Sequence, residues 1–123
     1  SEDYYVFVSP LPDESEILKP NPNYLLVELE DNFQILLNRE EMGSFQNTAP
    51  LKEKLKEVFN DREKYGVLRA GTNEVEKTVF VKAPLFAKFS DVIKLIQSIA
   101  ERGAAPIGLQ IEEPWPKIDI IRN

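Results

Sequence analysis

Apolar and polar residues alternate in two short runs near the start of the chain, at residues 25–30 and 33–38. The turn residues Asp31 and Asn32 separate them. Alternation of this kind is typical of half-buried strands, and a short polar pair between two such runs predicts a β-hairpin. Residues two apart lie on one face of a strand, so each strand should offer one apolar set to the core. Those sets are Leu25, Val27 and Leu29 in the first strand and Phe33, Ile35 and Leu37 in the second.

The next stretch repeats its apolar residues with the period of a helix. After a loop through Gly43, either Asn47 or Thr48 can cap a helix that runs to about Arg62. Residues 63–77 show little periodicity and are predicted to be mostly loop, with a short strand as an option at Val67 and Leu68. The predicted buried face of the helix consists of Leu51, Leu55, Val58 and Phe59.

The following stretch reads as strand, helix, strand. Residues 79–81 form an apolar strand, a second helix begins at Phe89 or Ser90, and residues 107–111 alternate like a strand. Two strands joined by a crossover helix should lie parallel. The predicted apolar face of this helix consists of Val92, Ile93, Ile96, Ile99 and Ala100.

Two glycines near the end of this unit have structural explanations. Gly103 suits the position just after a helix, where a left-handed backbone conformation favours glycine. Gly108 lies in a strand and is expected to permit close packing beneath a helix. The pair does not form a phosphate-binding loop, because such loops join a strand to the start of a helix.

Together these elements predict the α+β class: a two-layer sandwich with a mixed sheet of four or five strands and two helices on one face. Residues 1–23 contain a β-rich run at 4–8 and several prolines, which favours a short strand followed by an extended segment. Residues 24–113 form the predicted domain. Residues 114–123 form a tail with a possible edge strand.

Composition removes several classes of function. The chain of 123 residues suits one domain, and its net charge of −6 disfavours binding to a nucleic-acid backbone. Cysteine and histidine are both absent, which removes the thiol nucleophile, the commonest general base and the commonest zinc ligands. The acidic pairs at 40–41 and 112–113 are interpreted as solvated surface. We therefore expect no enzymatic activity, no metal and no cofactor, with a carboxylate-based hydrolase as the weakest alternative.

Several segments resemble known sequences in the same order along the chain. They are Tyr-Leu-Leu-Val at 24–27 before a hairpin that ends in Leu37-Asn38, Thr-Val-Phe-Val-Lys-Ala at 78–83, Phe-Ser-Asp-Val-Ile at 89–93, and Gly103 with Pro-Ile-Gly-Leu at 106–109. This series resembles the periplasmic domain of the ExbD/TolR biopolymer-transport family over residues 24–112.

The resemblance implies a function and a set of partners. Family members are anchored in the bacterial inner membrane by a single helix, which would precede Ser1, and that helix bears a proton-carrying aspartate. The domain would lie on the periplasmic face as a homodimer, with an ExbB/TolQ-like membrane protein and a TonB- or TolA-like protein as partners. It would use the proton-motive force to drive transport across the cell envelope. The alternative is a small periplasmic ligand-binding module, which predicts a sizeable apolar pocket with convergent polar groups.

Sequence also suggests where partners would bind. An exposed edge strand can accept an extended peptide, so residues 4–8 and 118–121 are candidate edge or exchanged strands. Residues 8–12 resemble the family's segment just outside the membrane, which implies contact with the motor, although an ordinary Pro-rich linker explains them equally well. The candidate partner-binding residues are Tyr5, Phe7, Leu11, Pro12, Ile118 and Ile120.

Overall fold

A computed structural model describes residues 6–8, 10–19, 22–84 and 87–110 of the chain. Helices separate single strands and one group of three consecutive strands along this part of the protein, and the longest helix lies near its centre. In chain order the elements are β1 Val6–Val8, α1 Glu14–Ile17, β2 Leu25–Leu29, β3 Gln34–Leu37, β4 Glu40–Ser44, α2 Ala49–Tyr65, β5 Val79–Lys82, α3 Phe89–Ala100 and β6 Ile107–Gln110.

The strands form one mixed sheet in the order β1-β6-β5-β2-β3-β4. The first four strands of that order pair in parallel, whereas β2 with β3 and β3 with β4 pair antiparallel. The α+β class is therefore confirmed, and so are the hairpin and the parallel β5–α3–β6 unit. The described sheet has six strands rather than four or five, and three helices accompany it rather than two.

The additional strand is β4, which occupies part of the stretch predicted to be a loop. Asn38 and Arg39 both have a positive φ, of 47° and 74°, and they form a tight turn of the kind that joins antiparallel strands. The β4 sequence, Glu-Glu-Met-Gly-Ser, has no apolar alternation because the strand lies at the edge of the sheet and none of its residues is fully buried. Its pairing with β3 is therefore set by the turn rather than by hydrophobic pattern.

The core lies between the sheet and helices α2 and α3. Alternate residues of β2, β3, β5 and β6 point into it, and both helices pack against that one face, as predicted. Val58, Ile93 and Ala100 of the predicted helix faces are only half-buried, whereas Leu95 is buried in addition. The buried helix residues are Leu51, Leu55 and Phe59 in α2 and Val92, Leu95, Ile96 and Ile99 in α3.

The prediction that Phe33 lines the core is wrong. Its side chain is 42% exposed, and its φ is 67°. The turn between β2 and β3 extends one residue beyond Asn32, so β3 begins only at Gln34. The ring of Phe33 instead lies 6.2 Å from that of Phe45, measured between centroids.

Helix α2 ends later than the sequence suggests. It runs three residues past Arg62 and stops at Gly66, which has a φ of 67° and donates its N–H to the carbonyl oxygens of Arg62 and Glu63. At its start, Asn47 Oδ1 accepts a hydrogen bond from the N–H of Ala49, at 3.3 Å. Beyond the helix, the described residues of the predicted loop take part in two isolated bridges, one between Leu68 and Val75 and one between Lys77 and Ala105.

Candidate functional site

Strand β1 is the terminal strand of the described sheet, on the side opposite β4. It pairs in parallel with β6, and its central residue Phe7 lies opposite Gly108. Among the described residues the pairing runs from Val6 to Val8, and Val8 is 53% exposed. Residues 4–8 were predicted to form an edge or an exchanged strand, and residues 6–8 lie at the end of the described sheet.

The close packing expected at Gly108 occurs, but between two aromatic rings rather than beneath a helix. A Cβ atom at Gly108 would lie 2.8 Å from Cδ1 of Phe80 and 3.1 Å from Cζ of Phe7. Both distances are shorter than ordinary van der Waals contact. Gly108 therefore allows the ring of Phe7 in β1 and the ring of Phe80 in β5 to approach each other across β6.

This aromatic contact continues along the face of the sheet that points away from α2 and α3. Phe80 packs edge-on against Tyr24, with ring centroids 5.9 Å apart. Phe80 also lies opposite Leu26 in the register of β2 and β5, and Leu26 is almost fully buried. Phe7 is consequently part of a continuous apolar row that spans four strands.

The remaining predicted partner-binding residues fall in two groups. Leu11 and Pro12 are half-buried and lie between β1 and α1, whose first turn is capped by Asp13 Oδ1 accepting the N–H of Ser15 at 3.2 Å. Tyr5, Ile118 and Ile120 lie outside the described residues, as does the possible edge strand of the tail. Phe7 thus lies in β1, and Leu11 and Pro12 lie in the segment that joins β1 to α1.

Arg62 was not singled out by its sequence position, yet it connects three parts of the chain. Arg62 is buried, with only 7% of the residue exposed. Nη2 donates to the carbonyl oxygens of Pro22 and Asn23, at 2.8 and 3.3 Å, and Nη1 donates to that of Glu76 at 2.8 Å. A signal existed in the sequence, because Arg62 follows Phe59 by three positions on the buried stripe of α2.

The electrostatics of Arg62 reflect this burial. Loss of solvent around the guanidinium lowers the pKa of Arg62 below its ordinary value, and the nearby Glu76 carboxylate partly offsets that effect. Backbone carbonyl oxygens rather than a carboxylate receive its hydrogen bonds. Arg62 therefore acts as a structural clasp between α2, the end of the N-terminal segment and the segment before β5.

Glu28 is a second polar residue that alternation alone places wrongly. The pattern directs it to solvent, but all five residues of β2 are buried and Glu28 is 4% exposed. Both of its carboxylate oxygens accept hydrogen bonds from Nη1 of Arg39, at 2.8 and 3.1 Å. Arg39 also lies 3.3 Å from Glu14, so this ion pair joins the sheet to α1.

A groove of about 810 Å³ opens between α2, the end of α1 and the turn from β3 to β4. Leu37, Met42 and Val58 supply apolar surface, and Arg39 and Asp61 supply charge. Its volume lies within the range of about 300–1,000 Å³ that is usual for ligand sites. This groove is on the half of the sheet that is remote from β1.

The described residues include no cluster of metal-binding side chains and no helix able to span a membrane. Within these ranges, acidic side chains do not gather into any group of three or more that could hold a metal ion. Neither α2 nor any other helix in the described part of the chain has the length and apolar character needed to cross a membrane.

Comparison with known proteins does not assign a family. No family model matches the chain, and no curated protein matches it either. The function of the chain is therefore inferred from two sources. One is the resemblance of the segments described above, and the other is the geometry of the β1 edge, the Arg62 clasp and the groove.

Proposed function

We propose that this chain is the periplasmic domain of an ExbD/TolR-like subunit that transduces the proton-motive force. In this proposal the domain works beside an ExbB/TolQ-like membrane protein and passes movement to a TonB- or TolA-like protein. The single observation that carries the proposal is the position of β1. Among the described strands, β1 is the terminal strand of the sheet, and β6 is the described strand with which it pairs.

The geometry supports a physical route for such movement. Displacement of the N-terminal segment would act on the sheet at two places, the short β1–β6 pairing and the clasp that Arg62 forms with Pro22 and Asn23. Because β1 lies at the end of the described sheet, it can separate from β6 at lower cost than a central strand can leave the sheet. The clasp is buried and holds the other end of the segment against α2.

The same edge supports a mode of partner binding. A sheet edge can accept an extended peptide through backbone hydrogen bonds, either from a partner protein or from a second copy of this chain. Phe7, Leu11 and Pro12 are the described residues that we assign to this contact, and the chain is proposed to act as a homodimer. No catalytic step is part of this function.

The first experiment is to sequence the gene upstream of the codon for Ser1. The proposal requires one apolar span of about 20 residues that bears a single aspartate and follows a short cytoplasmic tail. A cleavable signal peptide, or a soluble domain in place of the span, would overturn it. Co-purification with the ExbB/TolQ-like protein of the same genome would then test the partner directly.

The groove beside α2 favours the second candidate, a periplasmic ligand-binding module. Its volume of about 810 Å³ and its mixture of apolar and charged side chains match what such a module requires. The groove is lined by exposed residues such as Leu18 and Tyr65, so it lies at the surface rather than inside the sandwich. A signal peptide upstream of Ser1 would make this candidate the leading one.

A further inference from the structure

A cavity separate from the groove beside α2 lies at the carboxyl ends of β2 and β5, and its volume is about 390 Å³. These two strands are parallel neighbours in the sheet. The chain after β2 turns back into β3 on one side, whereas the chain after β5 passes through α3 to β6 on the other side. Because the two connections diverge, a crevice is left between the strand ends. Open sheets commonly bind ligands at such a point.

This cavity and the groove beside α2 lie at opposite ends of β2. Asn23 and Leu25, at the start of the strand, line the groove, whereas Leu29 and residues 30–32, at its end, line the cavity. Apolar surface in the cavity comes from Leu29 together with Ala83 and Pro84. A ligand bound here would therefore contact different residues from one bound in the groove.

Lys82 supplies the positive charge of the cavity. Its side chain is half-buried, and in the described part of the chain it has neither a hydrogen-bond partner nor a carboxylate within 4 Å. Lys82 lies opposite Glu28 in the register of β5 and β2, but both carboxylate oxygens of Glu28 accept hydrogen bonds from Arg39. The Lys82 ammonium group is therefore free to bind a ligand, and its partial burial reduces screening by salt.

Glu30 and Asp31 supply negative charge at the same cavity. Both residues are exposed at the end of β2, and neither side chain makes a hydrogen bond or an ion pair with another residue of the described ranges. Glu28 also lines the cavity, but Arg39 already neutralises it. The cavity therefore offers a ligand free charges of both signs.

These free charges indicate the class of ligand. A simple anion at Lys82 would lie near the carboxylates of Glu30 and Asp31, and a simple cation at those carboxylates would lie near Lys82. A molecule that has both a carboxylate and an ammonium group can satisfy both sets. The volume is near the lower end of the range for ligand sites, which favours a small molecule. We propose that this cavity binds a small zwitterion of the amino-acid class, with its carboxylate at Lys82 and its ammonium group at Glu30 or Asp31.

This inference does not rest on the energy-transduction proposal, because the cavity includes no residue of β1 and no residue of the Arg62 clasp. The upstream sequence tests that proposal, and a binding titration tests this one, so either can fail alone.

The test titrates the isotope-labelled full chain with glycine, β-alanine and 4-aminobutyrate, whose two charged groups lie progressively further apart. Backbone amide signals are followed by NMR. We expect at least one of the three to give saturable shifts at Leu29, Lys82 and Ala83, with the signal of Met42 in the groove unchanged. No saturable shift with any of them at up to about 20 mM would overturn the proposal. Shifts centred on Met42 would also overturn it.

Blocked forms of the best of these ligands test whether both charges are recognised. The N-acetyl derivative lacks the ammonium group, and the amide derivative lacks the carboxylate. Each should bind about fivefold more weakly than the zwitterion, as expected for the loss of one partly exposed charge contact. Binding of either derivative as tightly as the zwitterion would overturn the proposal, because the site would then recognise a single charge.

Variants of Lys82 test its assigned role. Lys82→Gln should abolish the preference for the free acid over the amide derivative, whereas Lys82→Arg, which keeps the charge, should retain it. Lys56→Gln makes the same change in net charge at an exposed lysine of α2 outside the cavity and should retain the preference too. A preference that persists in Lys82→Gln would overturn the assignment of the carboxylate to Lys82.

A matched pair of double variants tests the carboxylates. Glu30→Gln with Asp31→Asn should abolish the preference for the free amine over the N-acetyl derivative. Glu41→Gln with Glu53→Gln makes the same change in net charge at exposed positions outside the cavity and should leave the preference unchanged. An equal effect of the two double variants would show a general charge effect and overturn the assignment.

Discussion

Arg62 in α2 donates a hydrogen bond from Nη1 to the backbone carbonyl oxygen of Glu76, and the two atoms lie 2.8 Å apart. This contact ties the last turns of α2 to the segment that leads into β5. Together with the bonds to Pro22 and Asn23, it means that a single side chain joins α2 to the segment before β2 and to the segment before β5. The clasp is polar and almost completely buried, so its removal should affect stability strongly.

Replacement of Arg62 by methionine should therefore destabilise the domain. The variant keeps most of the apolar stem but leaves three carbonyl oxygens without their donor, at a cost of about 2–3 kcal/mol in free energy of unfolding. Urea denaturation monitored by circular dichroism measures the change. Arg102→Met, at an exposed arginine just after α3, is the matched control and should cost less than about 0.5 kcal/mol. An equal loss of free energy of unfolding in the two variants would show that the hydrogen bonds of Arg62 do not stabilise the domain.

Gly108→Ala should separate the rings of Phe7 and Phe80. The new methyl group would lie 2.8 Å from the Phe80 ring, so rings or strands must move, at about 1–3 kcal/mol. The double variant Gly108→Ala with Phe80→Leu should recover part of that loss, because leucine leaves room for the methyl group. Hydrogen exchange at residues 6–8 would report the loosening of β1, and unaltered protection in Gly108→Ala would contradict the proposed role.

Removal of Arg39 alone should destabilise the domain more than removal of both Glu28 and Arg39. Arg39→Met leaves the Glu28 carboxylate buried without its main partner, which should cost about 2–4 kcal/mol at neutral pH. Glu28→Met together with Arg39→Met should restore most of the stability, because the buried charge is gone. Additive losses in a double-mutant cycle would rule out the pair as a unit.

Alternation of apolar residues predicted the parts of the fold that have one buried face. The hairpin, the parallel unit β5–α3–β6 and the buried stripe of α2 follow from such patterns, since residues such as Val27, Leu55 and Ile96 have no other way to leave water. The predictions were wrong where a segment does not have one buried and one exposed face. The edge strand β4 buries too little to show a pattern, and Phe33 is held by the turn at a positive φ.

The polar residues of the site were harder to predict for a different reason. Glu28 lies in a strand buried on both faces, so its burial depends on Arg39, which comes eleven positions later. Arg62 is explained only when the carbonyl oxygens of Pro22 and Glu76 are known to converge on it. Contacts between distant segments leave no periodic trace in the sequence, whereas a local β-rich run is enough to predict a strand, as at residues 6–8.

The pKa of Lys54 should report the acidic side chains near it. Its pKa is raised by Glu57 and by the neighbouring acids, so Glu57→Gln should bring the pKa of Lys54 back towards the ordinary value of 10.5. The raised pKa means that the stabilising contribution of this contact is complete below 10.5 and is lost as the pH rises through the folded-state pKa. NMR titration of the Lys54 ammonium group measures the shift. Glu41→Gln should leave the Lys54 titration unchanged, and an equal effect of both variants would contradict the assignment to Glu57.

Removal of the first strand should test both the fold and the partner surface. Deletion of residues 1–8 eliminates the β1–β6 pairing and the contact of Phe7 with Gly108, which should lower the free energy of unfolding by about 1–3 kcal/mol. If β1 mediates self-association, light scattering should also show the full-length mass of a dimer and the truncated mass of a monomer. Deletion of residues 1–3 alone retains residues 4–8 and serves as the control. An unchanged monomeric mass before and after the longer deletion would count against strand exchange at β1, while the stability change would still measure how firmly the edge strand is held.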